Sequence, residues 1–324
     1  MLNAYVLEAG GLVRRDASPE TLQAALWLDL YEPTPEEERS VEALLSVDVP
    51  TREEMREIES SNRLYEDEGG LYLTTTIVTR LDSDLPQNTQ VTFILKDGRL
   101  VTNRYADALP FRRYATYAER HPLNCNSHVA VLAGITEAII NRIADVIERV
   151  STDLDGISAG VFAGRGARRG RLAQRNYRAV LENVGQNGEL IAKVRESLVS
   201  MGRMLAFVQQ TGVFTLSNEV RGRLRTLSRD VVAMGDYASF LGNNVSFVLD
   251  ATLGMISIDQ NNILKIFSVV TVFLLPPSVV GAIYGMNFEH IPWAHESWGF
   301  FAALGLMLTS SLVPYLLFKR RGWL

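Results

Sequence analysis

Two apolar runs near the end of the chain set the terms for everything that precedes them. Ile263–Ile283, ILKIFSVVTVFLLPPSVVGAI, carries one charge, Lys265, close to its start, and Phe300–Phe318, FFAALGLMLTSSLVPYLLF, carries none. At 21 and 19 residues, each has the length a helix needs to cross a hydrocarbon core of ~30 Å. A buried helical hairpin in a soluble core is the competing reading, and two consecutive spans of this length weigh against it. The chain is therefore read as a membrane protein. Its mean hydropathy of +0.05 hides this, because the apolar excess is concentrated at the C-terminal end.

Orientation follows from the cations that flank the spans. Lys265 lies at the start of the first, Lys319-Arg320-Arg321 follow the second, and the loop between them has neither Lys nor Arg. The positive-inside rule places both termini in the cytoplasm and the 284–299 loop outside, in an inner or plasma membrane. The opening MLNAYVLEAGGLVRR has no basic segment leading into an apolar one, so it does not read as a signal peptide.

The preceding sequence divides into two regions. Over residues 1–125, Ala4–Leu7, Ala25–Leu30, Leu71–Val78 and Thr89–Leu95 read as strands, and Lys96-Asp97-Gly98-Arg99 as a turn joining Val91–Leu95 to Leu100–Arg104. TPEEERSVEALL carries a Thr34 cap and an acidic first turn, and TREEMREIES opens on a second cap, Thr51. This predicts an α/β cytosolic domain. Over residues 126–260 the strand signals stop. His128–Gly164, Arg168–Gln210 and Ser217–Ile283 show helical spacing, the last long enough at 1.5 Å per residue to reach roughly 100 Å. Such a helix needs partners along its length, its neighbours or copies of itself. Residues 261–324 form the membrane domain.

Charge and composition narrow the function classes. With 32 Lys and Arg against 37 Asp and Glu, the chain is net acidic, which argues against a nucleic-acid binder. A single cysteine, Cys125, excludes an internal disulfide framework and a cysteine-rich zinc site. His121 and His128 flank it in HPLNCNSH, but no carboxylate motif or phosphate loop accompanies them, so an enzyme is not expected.

Two transmembrane helices cannot enclose a pore, so any conduction requires several copies around an axis. On the first span, Asn261, Leu264, Thr271, Leu275 and Ser278 recur at three- and four-residue spacing along one face, with Ser268 also on it. Hydroxyls and amides there would meet hydrated ions, and Leu264, Phe267 and Leu275 would make apolar constrictions. Hydroxyls that merely bond back to helix carbonyls are an equal alternative. Pro276-Pro277 frees backbone carbonyls, either at a packing kink or beside a cavity. Asn287 lies just past the apolar run, and a ring of its carboxamide oxygens would suit Mg²⁺, which gives up its waters reluctantly. Glu289 and Glu296 would concentrate cations in the outer loop, or be solvated loop acids.

YGMNFEHIP between two C-terminal spans, QNNILKIFSVVTVFLLPPS before it and PYLLFKRRGWL at the end resemble the CorA family of divalent-cation channels. The resemblance implies a homopentamer in the bilayer that passes Mg²⁺, often with Co²⁺ and Ni²⁺, as cargo rather than as cofactor. It implies a selectivity site at Gly285, Met286 and Asn287, with Asn261, Leu264, Phe267, Thr271, Leu275 and Ser278 lining the pore. It also implies carboxylates that sense intracellular Mg²⁺: Asp230 in LSRDVV, with Asp82 or Asp84 as partner. Two departures stand out. Trp293 follows Pro292 where relatives commonly have an acid, and the usually acidic hairpin reads GRGARRGRLAQR over residues 164–175. That basic hairpin, with His290 and His295 in the outer loop, would suit the related ZntB branch, which moves Zn²⁺, alone or coupled to protons. A membrane-anchored sensor or scaffold is the remaining alternative, and it has no need of Asn287.

Overall fold

A computed structural model of the chain describes residues 1–57, 59–81, 85–162, 177–214, 216–287, 291–293 and 296–321, with the side chains of residues 60 and 61 set aside. Seven strands are described: β1 (Leu2–Glu8), β2 (Gly11–Arg15), β3 (Ala25–Tyr31), β4 (Leu64–Asp67), β5 (Gly70–Thr79), β6 (Gln87–Lys96) and β7 (Arg99–Arg104). They form a sheet in the order β2-β1-β3-β7-β6-β5-β4. Only the β3–β7 seam is parallel. The expected turn at residues 96–99 joins β6 to β7, with Asp97 and Gly98 both at positive φ, the backbone that a two-residue hairpin demands.

The parallel seam is held by a buried polar cluster. Asp29 of β3 accepts from Arg104 Nε and Nη2 of β7, both at 2.9 Å, and from Thr102 Oγ1 at 2.8 Å. Both partners are almost inaccessible, at 6% and 3% exposed. Burial opposes the guanidinium's charge, but hydrogen bonds and attraction from Asp29 outweigh it and raise the Arg104 pKa. Beside this pair, Trp27 stacks on Tyr5 and donates its Nε1–H to Thr102 Oγ1 at 3.0 Å.

Short helices decorate the sheet: α1 (Pro19–Ala24), α2 (Pro35–Leu45), α3 (Ser60–Arg63) and α4 (Leu109–Ala118). The Thr34 cap of α2 is a full capping box, Thr34 Oγ1 accepting from Glu37 N while Glu37 accepts from Thr34 N. At Thr51 the same exchange with Glu54 occurs, yet only a 3₁₀ turn, Glu54–Arg56, follows. Here Met55 is buried in the core and Asn103 donates to Pro50 O at 2.9 Å, so tertiary anchoring replaces helix propagation. Gly11 is forced by packing as well as by its φ of 140°: a Cβ there would lie 2.2 Å from Ala118 O.

The expected long helices are present. They are α5 (His128–Phe162), α6 (Tyr177–Gln210), α7 (Asn218–Tyr284) and, beyond the loop, α8 (Gly299–Arg320). The arginine-rich residues 164–175 lie outside the described residues. Two compact units emerge, Met1–Leu249 and Asp250–Leu324, with α7 contributing to each. In the first unit, α6 presents Gly188 and Gly202 to Val245 and Val231 of α7, so the two helices run antiparallel at close approach. Arg223 of α7 also donates through Nε to Glu137 of α5 at 3.0 Å.

Candidate functional site

The second unit is a helical hairpin. Pro277 has no N–H to offer the carbonyl of Phe273, its normal partner four residues earlier. Ser311 of α8 fills that role, donating its hydroxyl to Phe273 O at 2.9 Å from a site 8% exposed. The helix therefore runs unbroken through Pro276-Pro277 to Tyr284, and the freed carbonyl serves packing. Nearby, Val269, Val272 and Phe273 face Pro314, Tyr315 and Phe318, and a Cβ at Gly281 would sit 3.3 Å from Met307 Cε. Small and hydroxylated residues thus allow close contact and bond across the helices, as is common between helices in lipid.

This packing engages one side of α7 and leaves the rest of the span open. At about 100° per residue, the positions met by α8 lie on average roughly 150–180° around the helix from the stripe Leu264, Phe267, Thr271, Leu275 and Ser278. The stripe is uncovered, with Leu264, Phe267 and Leu275 exposed at 62%, 66% and 57%, and Asn261, Thr271 and Ser278 exposed as well. Thr271 donates to Phe267 O at 2.8 Å and Ser278 to Leu274 O at 2.7 Å. Back-bonding and a water-facing role are thus compatible. Each hydroxyl spends its one proton on the helix and keeps lone pairs for an outside donor. An ion's hydration waters present hydrogens outward, the complement of such oxygens.

The end of α7 is closed tightly. Gly285 N donates to Gly281 O at 2.9 Å and Met286 N to Ile283 O at 3.3 Å. A Cβ on Gly285 would lie 3.2 Å from Gly281 O, closer than side chains normally tolerate. Met286 and Asn287 follow, both exposed. The loop's far end is pinned by Trp293, at φ 62°, whose carbonyl occupies the space where Gly299 would carry a Cβ, 1.9 Å away. The Trp293 and Trp298 rings meet at 5.7 Å. Glu296 is exposed and its N–H donates to Trp293 O at 3.2 Å.

Other expected residues are placed unevenly. Asp230 is exposed on α7; Asp82, Asp84, Glu289, His290 and His295 lie outside the described residues. Among the described residues no cluster of three or more His, Cys, Asp or Glu could hold a metal. Cys125 is buried, its thiol directed at the carbonyls of His121 and Ala118, and burial raises its pKa. That is the environment of an inert structural thiol. Sequence reading missed Ser311 and Gly299; the signal for the first was a TSS run in a span facing another that holds Pro-Pro.

The family model described as "CorA-like Mg2+ transporter protein" matches residues 23–320. The chain belongs to the CorA family. It is 34% identical over 326 residues to a "Magnesium transport protein CorA" of Haemophilus influenzae and 36% identical over 327 residues to one of Pasteurella multocida. In each case the match covers 100% of both chains. Its fold is that of the complete CorA magnesium transporter structure from Methanocaldococcus jannaschii. The TM-score is 0.78 at 19% identity, over 100% of this chain and 99% of that one. CorA proteins are membrane transporters rather than enzymes, and α8 and the last part of α7 are long and apolar enough to span.

Proposed function

We propose that this chain conducts divalent cations, Mg²⁺ foremost, through a pore that several copies build around a shared axis. The observation that carries the reading is the uncovered stripe of α7, which ends at Gly285-Met286-Asn287. α8 takes the other side of the hairpin, and the stripe lies within the part of the span left free to line an axis. Along it, Asn261, Thr271 and Ser278 offer oxygen acceptors to the waters of a hydrated ion. Leu264, Phe267 and Leu275 form apolar narrowings that a closed state can dewet. Asn287, held by the tight turn at Gly285, would contribute a ring of neutral carboxamides at the outer mouth. Neutral acceptors bind an ion's hydration shell without stripping it, which suits Mg²⁺. Glu289 and Glu296 would raise the local cation concentration outside.

With both termini cytoplasmic, a membrane potential negative inside drives entry. For a divalent ion this is worth about 4.6 kcal/mol per 100 mV, twice the single-charge value. The homo-oligomer, a pentamer by family resemblance, is supported by large apolar side chains left exposed on α7: Val232, Phe240 and Phe247, at 57–61%. Asp230, paired with Asp82 or Asp84 of a neighbouring copy, would sense intracellular Mg²⁺.

The test is uptake of Mg²⁺ into metal-depleted proteoliposomes, with Co²⁺, Ni²⁺ and Zn²⁺ measured alongside, with and without a pH gradient. Asn287→Ala should lose nearly all Mg²⁺ flux while the oligomer stays assembled. Wild-type flux in that variant would sink the pore assignment. Zn²⁺ flux that requires the pH gradient would favour a ZntB-like transporter instead.

A further inference from the structure

A second polar site lies in the first unit, between the sheet and α6. One face of α6 carries Ala192, Arg195, Glu196, Val199, Ser200 and Arg203, at three- and four-residue spacing, and it meets Thr74 and Thr76, which share one face of β5. Together with Arg63 of α3 these residues line an open cavity of about 490 Å³. Its lining holds three guanidinium groups and one carboxylate, Glu196, which is already engaged by Asn88 Nδ2 at 2.6 Å.

The donors here are under-used. Arg63 gives Nη2 to Thr76 Oγ1 at 2.8 Å, but its Nε is buried with no hydrogen-bond partner among the described residues. Arg195 and Arg203 have no ion-pair partner among the described residues. Ser200 Oγ accepts from Thr75 Oγ1 at 3.1 Å and from Thr76 N at 3.0 Å. Both its lone pairs are thereby occupied, so its proton is what remains to give. Burial lowers the Arg63 pKa, Glu196 acts against that shift, and Arg203 adds to it. Three guanidinium groups thus face one carboxylate, and one guanidinium nitrogen is buried without a partner, so the lining carries an excess of cationic donors.

We infer that this cavity binds a phosphate group, with Arg63 as the inner donor, Ser200 beside it, and Arg195 and Arg203 closing the mouth. Planar guanidinium forks match tetrahedral oxyanions. The volume admits either free phosphate or the phosphate end of a small organic phosphate. The site is independent of the ion pathway, so it stands or falls separately from the transport reading.

The experiment is calorimetric titration of the full-length protein in detergent, in chelator and fixed chloride, with inorganic phosphate and with AMP as probes. Saturable binding of one or both is expected. Arg63→Gln should weaken it roughly tenfold or more, and Arg203→Gln and Arg195→Gln roughly threefold each, as exposed donors. Tighter binding of AMP would identify an organic phosphate, and equal binding free phosphate. The two exposed-arginine variants keep the test valid if Arg63→Gln misfolds. No saturable heat in the millimolar range, or affinities unchanged in Arg195→Gln and Arg203→Gln, would overturn the site.

Discussion

Replacing Ser311 by Ala removes the hydroxyl that stands in for the N–H Pro277 lacks, and leaves Phe273 O without a donor in the apolar hairpin. An unsatisfied buried carbonyl costs about 1–3 kcal/mol. Interhelical hydrogen bonds in lipid measure lower, about 0.6 kcal/mol on average and up to about 1.7. A loss of about 1–1.5 kcal/mol is therefore expected, a shift of about five- to thirteenfold in the folding equilibrium. Pro277→Ala supplies the missing test, because alanine at 277 brings an N–H that bonds Phe273 O within α7. In that background the Ser311 hydroxyl is redundant, and Ser311→Ala should cost little. Equilibrium unfolding in mixed SDS micelles, run on wild type, both single variants and the double variant, yields the coupling energy directly. A coupling near 1 kcal/mol is expected. If Ser311→Ala costs the same with and without Pro277, the hydroxyl is not acting on the freed carbonyl and the reasoning fails.

Asp29→Ala should destabilise the first unit by about 3–5 kcal/mol by stranding the Arg104 guanidinium in the sheet. The double change Asp29→Leu with Arg104→Met should recover most of that loss in denaturant titrations. Gly299→Ala forces a Cβ against Trp293 O and should cost about 1–3 kcal/mol as overpacking, read as a lower Tm with altered tryptophan fluorescence from Trp293 and Trp298. Burial holds the His128 pKa below its ordinary value of 6.5, so protonation favours the unfolded chain. Stability should be full above about pH 6.5 and fall as the pH drops below it. His128→Phe should flatten that slope between pH 7 and 5, and an unchanged slope would assign it to other groups.

Features that depend on residue type and local order were legible in the sequence. The spans at 263–283 and 300–318 follow from length and the lack of charge, because the solvent of a segment is chosen by its own side chains. The 96–99 hairpin turn and the Thr34 capping box follow from backbone chemistry within a few residues. The Gly285-Met286-Asn287 segment stood out because it directly follows a span. Thr51 marks the limit: its box formed, yet the helix did not extend, because Met55 was drawn into the core.

Tertiary structure alone decided which segments meet. That β3 lies parallel to β7, with Asp29 reaching Arg104 across 75 residues, is not written in either strand, since neither carries a local signal for the other. The same holds for Ser311 and Phe273, and for the gathering of Arg63, Arg195 and Arg203 around one cavity. Local sequence selects elements because backbone and side-chain preferences act over a few residues. Partners are selected by the sum of many contacts that exist only once distant faces have come together. A helix's polar stripe could thus be read in advance, but which side α8 would take was fixed only when the two helices met.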